Sequence, residues 1–237
     1  MRLLLLSNST NVGEDYLEYP LTQIKAFLGN KSANCLFIPY AAVTFSFDEY
    51  EDKVKKKFNE IGHEVVSIHT LSSPIKAVES AEVIVIGGGN TFHLLKMLQQ
   101  TNIIEAIKSR VANGIPYIGW SAGANIACPT ICTTNDMPIV ETSGFKGLNL
   151  IPFQINPHYN DVVLPGHAGE TRDQRIAEFL AANPLITVVG LREGTMLKYE
   201  QNTLALIGDK ATKIFNYNKL PYDLGKESSF NFLLEKM

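Results

Sequence analysis

Between residues 115 and 129 the chain reads IPYIGWSAGANIACP, and within it Gly119-Trp120-Ser121-Ala122-Gly123 is a G-x-S-x-G pentapeptide. An apolar run leads into it and a run of small residues leads out. That context predicts a strand, a tight turn and a helix start, the elbow that lifts a serine Oγ into a site. A serine hydroxyl is a weak nucleophile. It needs a base within hydrogen-bond reach and an acid to orient that base. The backbone N–H of Ala122, next in the chain, would point at a developing oxyanion. The plain alternative is a serine in a turn, since the pentapeptide also arises by chance.

The chain holds five histidines as candidate bases. His63 and His69 flank the strand-like run EVVSI, and His93 lies at a helix start among apolar neighbours, all positions of structural type. His158, in INPHYND, ends an apolar segment, and His167, in LPGHAGETR, lies in a Gly/Pro-rich loop. Either suits a base, with His158 better placed. For the acid, Glu193 in VVGLREGTML follows a strand-like run and precedes a glycine, where a carboxylate projects from a strand end. A solvated turn glutamate is its bland counterpart. The resulting order is Ser, His, Glu, whereas α/β-hydrolases run Ser, acid, His. The latter order would require Asp136, Glu141 or Asp161 as the acid.

The elements that must hold these residues alternate. Strand-like RLLLLS, ANCLFIPY, EVVSIHTL, EVIVIGGG and IPYIGWS are separated by helical YLEYPLTQIKAFLG, SFDEYEDKVKKKFNEIG and SPIKAVESA, and by 90–114, which reads as two helical segments. Residues 141–159 read as strands with turns, 169–184 as a helix and 186–215 as short strands with hairpin-like turns. Alternation of this kind predicts an α/β fold: a mostly parallel central sheet flanked by helices on both faces. The late strands predict a small antiparallel extension on one edge. In such sheets sites form beyond the carboxyl ends of strands. Two of those ends are chemically loaded: Gly87-Gly88-Gly89-Asn90 after EVIVI, and Gly119–Gly123 after IPYI.

At 237 residues, with no repeat or linker, the chain is read as a single domain over 1–237. Apolar residues make up 45% and charged residues 19%, an ordinary globular balance. A net charge of −3 without long blocks of one sign argues against nucleic acid or an anionic membrane as partner. The opening MRLLLLSNST is read as a buried strand, because its apolar run spans only Leu3–Leu6 and no cleavage site follows a longer apolar stretch. An odd count of three cysteines suits a reducing, cytoplasmic setting. Cys128 and Cys132 are spaced like a metal pair, but no second ligand pair accompanies them, so both are read as small core thiols. No metal and no cofactor is expected.

IGGGNTFHLL, GWSAGANIA, INPHY, HAGETRDQRIAEFL and GLREGTML, in this order and spacing, closely resemble the peptidase E family of serine peptidases, the aspartyl dipeptidases, over nearly the whole chain. The resemblance implies a fold like that of class I glutamine amidotransferases and a Ser-His-Glu triad at Ser121, His158 and Glu193. It also implies hydrolysis, without metal, of dipeptides with an N-terminal aspartate, by a monomer or homodimer. Against that substrate, Arg172 at a helix start suits the aspartate carboxylate. Glu170 suits the free amine or the orientation of Arg172, unless the two form an ordinary helix-start ion pair. Gly88 or Gly89 is the expected second oxyanion donor beside Ala122. No G-K-[ST] follows the glycines, which argues against a nucleotide loop. Asn90 either hydrogen-bonds the substrate or caps the next helix. A cyanophycinase-like hydrolase of aspartyl polymers, a non-catalytic amidotransferase-like module and a broad esterase are the competing readings.

Overall fold

The computed structural model describes residues 1–162, 166 and 169–235. In chain order its elements are β1 (Arg2–Leu6), α1 (Glu18–Leu28), β2 (Asn34–Ile38), α2 (Phe47–Glu60), β3 (Glu64–Ser67), α3 (Pro74–Ser80), β4 (Val83–Ile86), α4 (Thr91–Gln100), α5 (Ile104–Ala112), β5 (Pro116–Trp120), α6 (Ala122–Asn125), β6 (Gln154–Tyr159), α7 (Arg172–Ala182), β7 (Val188–Arg192), β8 (Met196–Glu200), β9 (Thr203–Ile207), β10 (Thr212–Phe215) and β11 (Tyr222–Leu224). The main sheet has the order β3-β2-β4-β5-β1-β8-β9. Its first five strands are parallel, and the β8–β9 hairpin adds to β1 in antiparallel fashion. This is the α/β architecture read from the alternation of elements.

The leucine run of β1 shows why the centre of the sheet is so apolar. Successive side chains of a strand face opposite ways. Leu3 and Leu5 therefore enter the core under α3–α6, and Leu4 and Leu6 enter the core under α1 and α2. Helix α2 offers Tyr50, Val54 and Phe58 as one buried stripe, and a reciprocal capping box between Ser46 and Glu49 starts it. No helix among the described residues is long and apolar enough to cross a membrane.

The second half departs from its sequence reading. Of 141–159, read as strands with turns, only β6 is a strand; a single bridge between Thr130 and Lys146 ties down the irregular stretch before it. The late strands do not form one edge extension. Strands β8 and β9 join the main sheet, whereas β6, β7, β10 and β11 build a separate sheet of order β11-β10-β7-β6. The connections account for the division. Helix α7 crosses over between β6 and β7, which therefore pair in parallel. The β8–β9 link is a two-residue turn at Gln201 and Asn202, both at positive φ, so it folds back as a hairpin.

Candidate active site

Ser121 follows the last residue of β5 and precedes the first of α6. Its backbone has φ 53° and ψ −112°, a conformation a non-glycine residue adopts only under constraint, at a cost on the order of 1–3 kcal/mol. The flanking glycines leave room for the tight packing that holds it. A Cβ on Gly123 would run into the carbonyl of Ile86 at the end of β4, and a Cβ on Gly119 would run into the carbonyl of Gly123. The buried hydroxyl of Tyr117 donates to that same Gly123 carbonyl at 2.6 Å. The turn is thus packed between β4 and β5, and the Ser121 hydroxyl faces a cavity.

His158 Nε2 lies 2.7 Å from Ser121 Oγ, and His158 Nδ1 lies 2.7 Å from Glu193 Oε1. The histidine and the glutamate come from neighbouring strand ends of the second sheet, His158 near the end of β6 and Glu193 immediately after β7. The pairing of β6 with β7 shifts between Asn156 and Tyr159, and His158 has φ 52° inside that irregularity. A bulge of this kind re-aims one side chain, here the imidazole, across to the end of β5. The His158 and Glu193 side chains are 39% and 47% exposed, so their pair is an orienting contact and not a buried ion pair.

Two residues that the sequence reading left within a strand and its exit hold this arrangement. Ser7, buried at the end of β1, accepts a hydrogen bond from the His158 amide at 2.9 Å and donates to the Leu191 carbonyl at 2.7 Å. Asn8 Oδ1 accepts from the Gly194 amide at 2.9 Å and so fixes the turn that carries Glu193. The available signal was polarity: a Ser-Asn pair directly after a fully apolar strand. The segment TTNDMP (133–138) braces the other side. Asn135 donates to the Pro157 carbonyl at 2.7 Å, and Asn156 donates to the Thr133 carbonyl at 2.8 Å.

The cavity in front of Ser121, about 470 Å³, has Gly88, Gly89, Trp120, Asp136, His158 and Lys53 in its wall. Gly88 packs against Ser121, since a Cβ there would approach Ser121 Cβ to 3.0 Å. The Gly88 carbonyl accepts from the buried Tyr50 hydroxyl at 3.0 Å, which in turn accepts from Trp120 Nε1 at 3.0 Å. The amides of Gly87 and Asn90 donate to Ile38 and Ala41, which anchors both ends of the loop.

Asn90 caps α4: its Oδ1 accepts from the His93 amide at 3.0 Å, and its Nδ2 donates to the Met137 carbonyl at 2.9 Å. Of its two readings, the cap accounts for its contacts. His93 Nδ1 lies 2.6 Å from the Tyr40 carbonyl, and His69 lies between Ser67 and Asp48. His167 falls outside the described residues. Asp136 accepts from the Thr91 amide and hydroxyl at 2.7 and 2.6 Å, and Asp161 pairs with Arg192 at 2.8 Å, which holds its carboxyl below the usual range. Two of the three acids of the α/β-hydrolase order are thus engaged elsewhere, and the third, Glu141, is exposed. Glu170 pairs with Arg175, at 3.7 Å, in place of the expected Arg172: both partners are exposed, whereas the Arg172 guanidinium is turned into a more buried position. Arg172 opens α7 and is not in the cavity wall; burial, then the neighbouring Arg175, lowers its proton affinity, and its Nη1 is buried without a partner among the described residues. Cys128 is a core thiol, pushed up to about 12 by burial, but Cys132 is exposed, since the helix that would have buried it ends at Asn125.

The glycine-flanked elbow at a crevice of a doubly wound sheet defines a hydrolase scaffold, and the relatives identify which. The sequence profile of Peptidase family S51 matches residues 3–207. The chain is 52% identical over 235 residues to Peptidase E of a Nostoc species, covering 99% of this chain and 97% of that one. It is 49% identical over 216 residues to Peptidase E of Salmonella typhimurium, covering 91% and 93%. A solved peptidase from an acI-B1 Actinobacterium shares the fold with a TM-score of 0.71 at 19% identity, over 97% of this chain and 96% of that one. The chain belongs to peptidase family S51, and it is a peptidase.

Proposed function

We propose that the protein is a serine dipeptidase that hydrolyses dipeptides with an N-terminal aspartate through an acyl-enzyme. The observation that carries this reading is the continuous hydrogen-bonded chain from Ser121 through His158 to Glu193, with 2.7 Å at each link. Ser121 Oγ attacks the carbonyl carbon of the aspartyl residue, and His158 Nε2 takes the hydroxyl proton. The tetrahedral oxyanion is met by backbone amides at Ala122 and at Gly88 or Gly89, each such donor contributing about 3 kcal/mol of transition-state stabilisation. The imidazolium, stabilised by Glu193, then gives its proton to the leaving amine as the C–N bond breaks. Water, deprotonated by the same imidazole, attacks the ester, and Ser121 recovers its proton as aspartate departs. Glu193 keeps Nδ1 protonated, so that Nε2 is free to accept.

Recognition of the aspartate side chain calls for a cation, and Arg172, whose buried Nη1 has no partner among the described residues, is the proposed reader. A dipeptide panel of Asp-Leu, Asn-Leu, Glu-Leu and Ala-Leu tests both parts. Asp-Leu is expected to be turned over well and the near-isosteric Asn-Leu very poorly, because it leaves the cation unpaired. Arg172→Met is expected to collapse kcat/KM for Asp-Leu and to narrow the Asp/Asn ratio. An unchanged ratio would place the aspartate pocket elsewhere, and equal turnover of Ala-Leu by the unmodified protein would remove the aspartyl specificity.

A further inference from the structure

We infer that Lys53 is a substrate-binding residue: its ammonium group meets a carboxylate of the dipeptide in the cavity of Ser121. The inference rests on the dipeptidase reading above and extends it to a residue on a different layer of the fold. Lys53 is the only lysine or arginine among the described residues of the cavity wall that holds Ser121 and His158. Its Nζ lies 5.7 Å from the ring centre of Tyr16 and 5.5 Å from that of Phe45, both also in that wall. Lys53 is exposed, and the two aromatic faces attract its ammonium group toward the cavity rim.

Its own helix gives the charge no ion pair, although Glu49 feels its field as a minor effect beside the Ser46 hydrogen bonds. Glu49, four residues earlier on α2, is its natural partner at helical spacing. The Glu49 carboxylate is instead turned onto Ser46, accepting from the Ser46 amide at 2.8 Å and its hydroxyl at 3.0 Å. Among the described residues no carboxylate comes within the 4.0 Å of an ion pair with Lys53. Among the described residues the one acidic side chain in the cavity wall is Asp136, whose Oδ2 accepts from Thr91 and Thr134. An anionic substrate entering this partly apolar cavity loses water from its carboxylates, which is unfavourable unless a cation takes its place. An aspartyl dipeptide carries two carboxylates, one on the aspartate side chain and one at the C-terminus, and either offers Lys53 the same chemistry.

The test compares the unmodified protein with Lys53→Met and Lys53→Arg on Asp-Leu and on Asp-Leu-amide, which lacks the C-terminal carboxylate. The rate at which phenylmethanesulfonyl fluoride, a neutral reagent, modifies Ser121 is measured alongside. Lys53→Met is expected to lower kcat/KM for Asp-Leu by about tenfold or more, the size of one charge-assisted hydrogen bond. Sulfonylation is expected to stay within about twofold and Lys53→Arg to retain most of the activity. A loss confined to Asp-Leu assigns Lys53 to the C-terminal carboxylate; an equal loss on the amide assigns it to the aspartate side chain. Unchanged kcat/KM on both peptides, or a sulfonylation rate that falls as far as peptide turnover, would overturn the inference. Absence of Asp-Leu turnover by the unmodified protein would overturn the dipeptidase reading instead, so the two failures are distinct.

Discussion

At the scale of single residues, the site depends on groups that do no chemistry. Ser7 joins three strands through one hydroxyl: it directly follows β1, accepts from His158 on β6 and donates to Leu191 on β7. Ser7→Ala would leave the His158 amide and the Leu191 carbonyl buried without partners, at about 1–3 kcal/mol. The expected outcome is a lower thermal midpoint together with a fall in kcat for Asp-Leu that exceeds any change in KM, because the imidazole loses its aim. A variant with normal kcat and only reduced stability would show that the bulge alone fixes His158. His63 illustrates a different residue-scale effect. It is buried, and the Gly29 backbone near its ring compensates only in part for the lost water. Burial lowers its proton affinity in the fold below the ordinary value of 6.5. The unfolded chain therefore binds the additional proton first as pH falls through 6.5, so folding stability is lost on the acid side. Denaturant unfolding at pH 7.5 and 5.5 is expected to show that loss, and His63→Leu to reduce it; an identical pH dependence in the two proteins would refute the assignment.

At the scale of elements, the elbow works because β4, β5 and α6 meet with no room for side chains. Gly123→Ala is expected to destabilise the fold by roughly 1–3 kcal/mol or more, since its methyl group would displace the Ile86 backbone. Soluble protein with an unchanged unfolding midpoint would contradict that packing. This part of the molecule was legible in the sequence. Strand, glycine and small-residue run are local signals, and the structure places Ser121 at the junction they mark. The bulge at His158 was not legible, because it depends on the pairing of β6 with β7 across α7 and not on any residue of β6. The same holds for the division of the late strands between two sheets, which connection lengths and crossover direction decide. The motif HAGETR suggested a Glu170–Arg172 unit, but Arg172 is partly buried and the exposed Glu170 meets the exposed Arg175, a placement that only the tertiary fold decides.

At the scale of the whole molecule, two sheets divide the labour. The main sheet, buried on both faces, supplies Ser121 and the glycine loop from adjacent strand ends, β5 and β4. The smaller sheet supplies the imidazole and the carboxylate, and Ser7 and Asn8 connect the two from the end of β1. Helix α2, on the other face of the main sheet, lines the cavity with Tyr50 and Lys53. The order Ser, His, Glu follows from this construction: both partners of the serine lie on strands that come after it in the chain. The central claim is that Ser121 is the nucleophile, and kcat for Asp-Leu hydrolysis by Ser121→Ala, on protein whose thermal midpoint matches the parent, tests it most directly. The account expects a loss of about ten-thousandfold or more; turnover within about tenfold of the parent would contradict it.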